Sequence, residues 1–101
     1  MIKHVEDRNE FTEIIKEGKV LVDFFATWCG PCRMIAPVLE ELDSDPNFEP
    51  LIVKVDVDEA MEIASMFGIQ SIPTLIYFEN GKQKNAATGY RPKQAIIDFC
   101  K

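Results

Sequence analysis

The chain has 101 residues, 47% of them hydrophobic, enough to bury a core in one domain spanning residues 1–101 without disulfide staples. Its formal net charge of −6 argues against nucleic acid or another polyphosphate as partner, because such binding rests on basic patches. Met1 to Asp7 is charged and lacks an apolar h-region, and no apolar run reaches the length of a membrane span, so a cytoplasmic protein with no membrane attachment is expected. Three cysteines with one close pair do not make a disulfide-dense secreted scaffold.

Ile2 to Val5 reads as a short first strand. Asp7 is a cap residue, with Glu10 three positions later and Phe11, Ile14 and Ile15 at helical spacing, which predicts a helix to about Glu17 that Gly18 ends. Val20 to Ala26 is apolar on both alternations except at Asp23, the pattern of a central strand covered on both faces. Asp23 has two readings: an exposed strand charge, or a desolvated carboxylate whose raised pKa lets it accept a proton near neutral pH.

Ala26-Thr27-Trp28-Cys29-Gly30-Pro31-Cys32 joins that strand to a helix running from about Cys32 to Leu42, with Ile35, Val38, Leu39 and Leu42 apolar at helical spacing. Two sulfurs separated by two residues lie close enough to bond when the first sits at a helix start and the second one turn inside. Unsatisfied N–H groups and the helix dipole favour an anion there, which lowers a thiol's pKa. Pro31 suits the first turn, where its missing N–H costs nothing. Pro37 removes a hydrogen bond inside the helix and predicts a kink near Arg33 to Ala36.

Leu51 to Asp56 reads as a third strand, and Asp58 as the cap of a helix over Glu59 to Phe67, which Gly68 ends. The resulting βαβαβα alternation implies a mainly parallel start. Lys54 in the third strand reads as a solvated charge. Pro73 precedes a strand over Leu75 to Phe78, where an ordinary trans bond is the simple reading. Asn80-Gly81 signals a hairpin, so the last two strands are antiparallel and the sheet is mixed. Gly89, read by itself as a turn glycine, ends the fifth strand, and Pro92 opens a last helix with Ile96, Ile97 and Phe99 turned inward. Cys100 is either a passive side chain or a regulatory or dimer-forming thiol, and His4 is a surface residue.

Competing chemistries for the cysteine pair lack their other parts. A structural zinc site wants a second Cys or His pair, and haem attachment wants histidine where this chain has Arg33. No Ser-His-Asp set, glycine-rich phosphate loop or dinucleotide fingerprint stands out.

The run VDFFATWCGPCRMIAPVLEEL resembles the thioredoxin family, and IPTLIYFENGK resembles that family's second signature; the likeness extends from about Phe11 to Phe99 with no gap between Cys32 and Pro73. The resemblance implies an α/β thioredoxin fold: a mixed five-stranded sheet, its first three strands parallel and its last two an antiparallel hairpin, flanked by four helices. It further implies a protein-disulfide reductase in which Cys29 attacks a substrate disulfide and Cys32 resolves the mixed disulfide. Asp23 falls where the family buries an aspartate that deprotonates the second cysteine, and Lys54 where a lysine tunes it. Gly30 and Pro31 set the redox balance by fixing the turn and withholding a histidine. Pro73 matches a cis-proline packed against the disulfide, Ile72 offers backbone hydrogen bonds to a substrate strand, and Gly89 keeps a docking surface flat beside Trp28. Tyr90 stands where many members carry a smaller residue. No bound cofactor is implied beyond the Cys29–Cys32 disulfide. NADPH acts indirectly, through thioredoxin reductase as partner, and the substrates are protein disulfides such as those of peroxiredoxin-like or reductase clients, met by a monomer.

Overall fold

The computed structural model describes residues Met1–Lys101. The elements are β1 (Lys3–His4), α1 (Arg8–Ile15), β2 (Lys19–Phe25), α2 (Gly30–Asp43), β3 (Leu51–Asp56), α3 (Met61–Met66), β4 (Thr74–Glu79), β5 (Lys82–Thr88) and α4 (Lys93–Phe99). The five strands form one sheet in the order β1-β3-β2-β4-β5. β3 pairs in parallel with β1 and β2, while β4 runs antiparallel to both β2 and β5. This is the mixed sheet with four helices that the sequence implies.

Local chemistry accounts for the boundaries. The Asp7 carboxylate accepts the Glu10 N–H at 2.8 Å and starts α1. Asn80 (φ 50°) and Gly81 (φ 85°) adopt the positive dihedrals of a tight hairpin turn. Asn80 also ties that turn to the α1–β2 junction, since its side-chain oxygen accepts the Gly18 N–H at 2.8 Å and its own N–H donates to the Gly18 carbonyl at 2.9 Å. Asn85 pairs with Tyr77 but Gln83 pairs with Phe78, so Lys84 is an extra residue in a bulge on the β5 edge.

β2 is buried on both faces, as its unbroken apolar run requires. Val20, Val22 and Phe24 face α1 and α3 together with Val53, Val55, Ile76 and Phe78. Phe67 closes this side, its ring 5.6 Å from Phe11, 5.8 Å from Phe24 and 5.7 Å from Phe78. Leu21, Ile52, Leu75 and Tyr77 face the other way, against Ile35, Leu39 and Leu42 of α2 and Ile96 and Phe99 of α4.

Each of the four helices has a boundary that differs from the sequence expectation. α1 stops at Ile15, two residues before Glu17. α2 begins at Gly30, ahead of Cys32, because Cys29 itself is the N-cap. Pro37 lies within α2, as the sequence implies, and the helix runs through it to Asp43 although the Arg33 carbonyl has no N–H four residues on. α3 is shorter than predicted and Asp58 does not cap it; Ala60 stands at the cap with no side-chain bond. The reason is a separate turn closed by Asp56, whose carbonyl accepts the Glu59 and Ala60 N–H groups and whose carboxylate accepts the Asp58 N–H at 2.9 Å. At α4, Pro92 is the cap residue, not the first helical one.

The topology brings four chain segments to one end of the sheet. β2, β3 and β5 all finish there, and β4, running the opposite way, starts there. The order at that end is therefore the segment after β3, then the Trp28–Cys32 turn, then Ile72–Pro73, then Gly89–Arg91.

Candidate active site

The turn after β2 is closed by the Cys29 N–H donating to the Ala26 carbonyl at 3.3 Å, and the Arg33 N–H reaches the Cys29 carbonyl at 3.2 Å as α2 begins. Cys29 holds an extended backbone (φ −88°, ψ 117°), and its sulfur accepts the Cys32 N–H at 3.2 Å. A sulfur at an N-cap faces the positive end of the helix and its orphan donors, the arrangement that stabilises a thiolate. Cys29 and Cys32 are joined by a disulfide with their Cα atoms 5.2 Å apart. Pro31 lies in the first turn of α2, as expected, and a Cβ added at Gly30 would meet open space.

The two cysteines are almost equally covered, at 5% and 3% exposed, so Cys29 is not markedly more open than Cys32 in the disulfide form. Both sulfurs share one apolar cup made by Ala26 with Phe25, Val57 and Ile72 packed against it. The cup lies at the surface, and the molecule's concavities are elsewhere. One is bordered by Lys19, Phe48 and Cys100, another by Phe67, Gln70 and Gln83. No enclosed cavity adjoins the pair, which suits a disulfide carried on a macromolecule better than an enclosed small ligand.

Beneath the turn, Asp23 is fully buried and lies in direct register with Lys54 on β3. Alternation along β2 turns it to the same sheet face as α2, the helix that carries Cys32. Neither carboxylate oxygen has a hydrogen-bond partner, and the nearest cation, Lys54 Nζ, is 3.9 Å from Oδ2. Burial pushes the Asp23 carboxyl up from 3.8 to about 6, against the opposing pull of the Lys54 charge. Of the two sequence readings of Asp23, the exposed strand charge is therefore the wrong one. Lys54 is not freely solvated either; its ammonium lies 4.5 Å from the centroid of the Phe25 ring.

Trp28 is 67% exposed, yet its indole N–H donates to the Asp58 carboxylate at 2.8 Å. Sequence reasoning missed this use of Asp58; a carboxylate near a helix start looks like a cap, and nothing local pairs it with a residue thirty positions away. The Ile72–Pro73 bond is cis, and the Ile72 carbonyl oxygen lies 3.8 Å from Cys29 Sγ. Gly89, at φ +89°, donates its N–H to the Pro73 carbonyl at 2.8 Å, which locks the end of β5 beside the proline. Trp28, Ile72, Pro73 and Gly89 are thus brought to one end of the sheet around the disulfide. Tyr90 follows them, 43% exposed.

Two other residues stand apart. Cys100 is a free, buried thiol at the far end of α4, and burial holds its pKa up at about 12, which favours the protonated thiol near neutral pH. His4 is exposed on β1, edge-on to Phe25 at 6.3 Å. No group of three or more His, Cys, Asp or Glu side chains converges to hold a metal ion, and no helix is long and apolar enough to cross a membrane.

A cysteine pair at a helix N-terminus, with a buried carboxylate on the sheet face below, defines the class: a thiol–disulfide oxidoreductase. The family model described as Thioredoxin matches residues 2–101. The chain is 50% identical over 89 residues to the thioredoxin of Bacillus subtilis, covering 88% of this chain and 86% of that one. It is 41% identical over 100 residues to the thioredoxin of Rickettsia bellii, covering 98% and 95%. The solved thioredoxin of Malassezia sympodialis superposes with a TM-score of 0.89 at 36% identity, covering 98% of this chain and 92% of that one.

The chain belongs to the thioredoxin family. Its activity is protein-disulfide reduction through the Cys29–Cys32 pair, and the family's general partners are disulfide-bearing proteins and thioredoxin reductase.

Proposed function

We propose that residues 1–101 work as one monomeric, cytoplasmic reductant in which Cys29 is the attacking thiol and Cys32 the resolving one. The reading is supported above all by the position of Cys29: its sulfur caps α2 and accepts the Cys32 N–H at 3.2 Å. In the dithiol form the Cys29 thiolate attacks one sulfur of a client disulfide, forming a mixed disulfide and releasing the other client sulfur as thiolate. Cys32 then gives its proton to Asp23 through a bridging water and attacks Cys29 Sγ. The second client sulfur leaves, the client is reduced by two electrons, and the Cys29–Cys32 disulfide remains.

Asp23 suits this step because a carboxyl with a pKa of about 6 is ionised at neutral pH yet holds a proton far better than a solvated carboxylate. Lys54, 3.9 Å away, limits how far that pKa rises. Gly30 and Pro31 shape the turn and place no cation beside the thiolate. Trp28, Ile72, Pro73 and Gly89 form the docking surface, with the Ile72 backbone open to a client strand. Thioredoxin reductase, drawing on NADPH, restores the dithiol; the protein carries no cofactor of its own, and its clients are protein disulfides of the peroxiredoxin or reductase kind.

The test is insulin reduction driven by NADPH and a thioredoxin reductase, with the intact chain compared against Cys32→Ser. Turnover by the intact chain, and a mutant that stalls as a mixed disulfide through Cys29, is the expected result. Turnover only with a glutathione-based system would overturn the partner assignment, and activity only in oxidative refolding would overturn the direction.

A further inference from the structure

The docking end of the sheet is electrically polarised. On one side of the disulfide, at the end of β3 and just beyond it, stand Asp56, Asp58 and Glu59; on the other, after β5, stands Arg91, two residues beyond the Gly89 that is bonded to Pro73. Arg33 follows Cys32 directly, and its guanidinium reaches back to the Thr27 carbonyl at 3.1 Å.

Five Lys and Arg side chains make no ion pair in this chain, and two of them, Arg33 and Arg91, belong to this end of the sheet. Acidic residues outnumber basic ones by 17 to 11, yet neither Arg33 nor Arg91 has a carboxylate partner among the ion pairs of the molecule. Lys93, only two residues beyond Arg91, does have one, in Glu41 at 3.0 Å. Arg91 goes further. The residue is half-buried, and its Nε–H is shut off from solvent without any acceptor. The Arg91 charge is therefore uncompensated within the molecule, and the planar guanidinium fork matches a carboxylate in two parallel bonds.

We infer that Arg91, supported by Arg33, is a specificity-determining residue that selects client disulfides flanked by an acidic side chain. This rests on the reductase reading of the same site. The acidic border at Asp56, Asp58 and Glu59 disfavours the client carboxylate on the opposite side, so the charge pattern also sets the direction in which a client segment lies across Cys29. Tyr90, exposed between Gly89 and Arg91, supplies apolar contact to the same segment.

The experiment uses the full chain, reduced beforehand with dithiothreitol and freed of it. It is mixed in single turnover with two disulfide-bridged peptides identical except for Glu or Lys beside one cysteine, and with uncharged 2-hydroxyethyl disulfide. The wild type is expected to reduce the Glu peptide about fivefold faster than the Lys peptide at low salt, the scale of one partly exposed ion pair, with the ratio shrinking at high salt. In Arg91→Gln the ratio falls toward one, and in Arg91→Glu it inverts; taking the ratio within each variant divides out any general loss. Equal rates in the wild type, or a preference that persists unchanged in both variants, overturns the inference. Failure of the wild type to reduce any of the three disulfides overturns the reductase reading itself, a result distinct from a lack of preference.

Discussion

The two faces of the sheet do different work. On the α1–α3 face, β2 presents Val20, Val22 and Phe24, and the one buried polar side chain there, Thr74, is uncharged and donates its hydroxyl to the Ser71 carbonyl. On the α2–α4 face, the same strand presents Leu21 and then Asp23, a fully buried carboxylate with no hydrogen-bond donor. One face contributes stability alone. The other gives some up to hold an ionisable carboxylate in a dry place, beneath the helix whose N-terminus carries the cysteines.

The largest effect that sharpens this contrast comes from the apolar face. Phe24→Ala should cost about 4 kcal/mol of stability, since a fully buried phenylalanine against Phe67 leaves a cavity that rigid neighbours cannot fill. Denaturant melts measure that loss, while reduction rates at a temperature where the variant is folded should stay near those of the wild type. A large kinetic defect in the folded variant would break the division of labour between the faces.

Asp23→Asn should do the reverse. Because folding raises the Asp23 pKa from 3.8 to about 6, the native state binds the proton more tightly than the unfolded chain. The wild type's stability from this group is therefore present below about pH 4, declines between about pH 4 and pH 6, and stays low above. The variant should be more stable than the wild type by about 3 kcal/mol at neutral pH, with the advantage fading on acidification through that window. Paired melts across the pH range check it, and a pH-independent difference would count against the buried charge as its source. Reduction by the variant should be slower at neutral pH.

Lys54→Met gives a smaller effect. It removes the charge that lowers the Asp23 pKa, so the acid limb of the reduction rate, which falls as Asp23 becomes protonated near pH 6 in the wild type, should move to higher pH. A pH–rate profile of the resolving step reads the shift directly. Asp7→Ala is the smallest, about 1 kcal/mol through the lost α1 cap, with no change in the pH profile because α1 lies on the apolar face.

Much of the fold is legible in one dimension because its signals are local. Leu51–Asp56 is a strand where its apolar run says so, Asp7 caps α1, and Asn80-Gly81 turns the hairpin. Within the site, the cysteine pair is legible for the same reason: four consecutive residues suffice to seat one sulfur on a helix cap and the other one turn in. Asp23 is half legible. Its isolation in an apolar strand marks it, but whether it is solvated depends on what covers β2 from both sides.

What the sequence by itself determined is the set of elements, the reactive turn and the family those motifs resemble. Only the tertiary structure decided that Asp58 holds the Trp28 indole, that Lys54 leans on Phe25 as well as Asp23, that both sulfurs sink into one apolar cup, and that Arg91 is left without a partner. Each of these is a contact or a missing contact between distant parts of the chain. Burial and pairing of that kind follow from strand order, which puts the ends of β3, β2 and β5 and the start of β4 side by side, and no local pattern of residues encodes it.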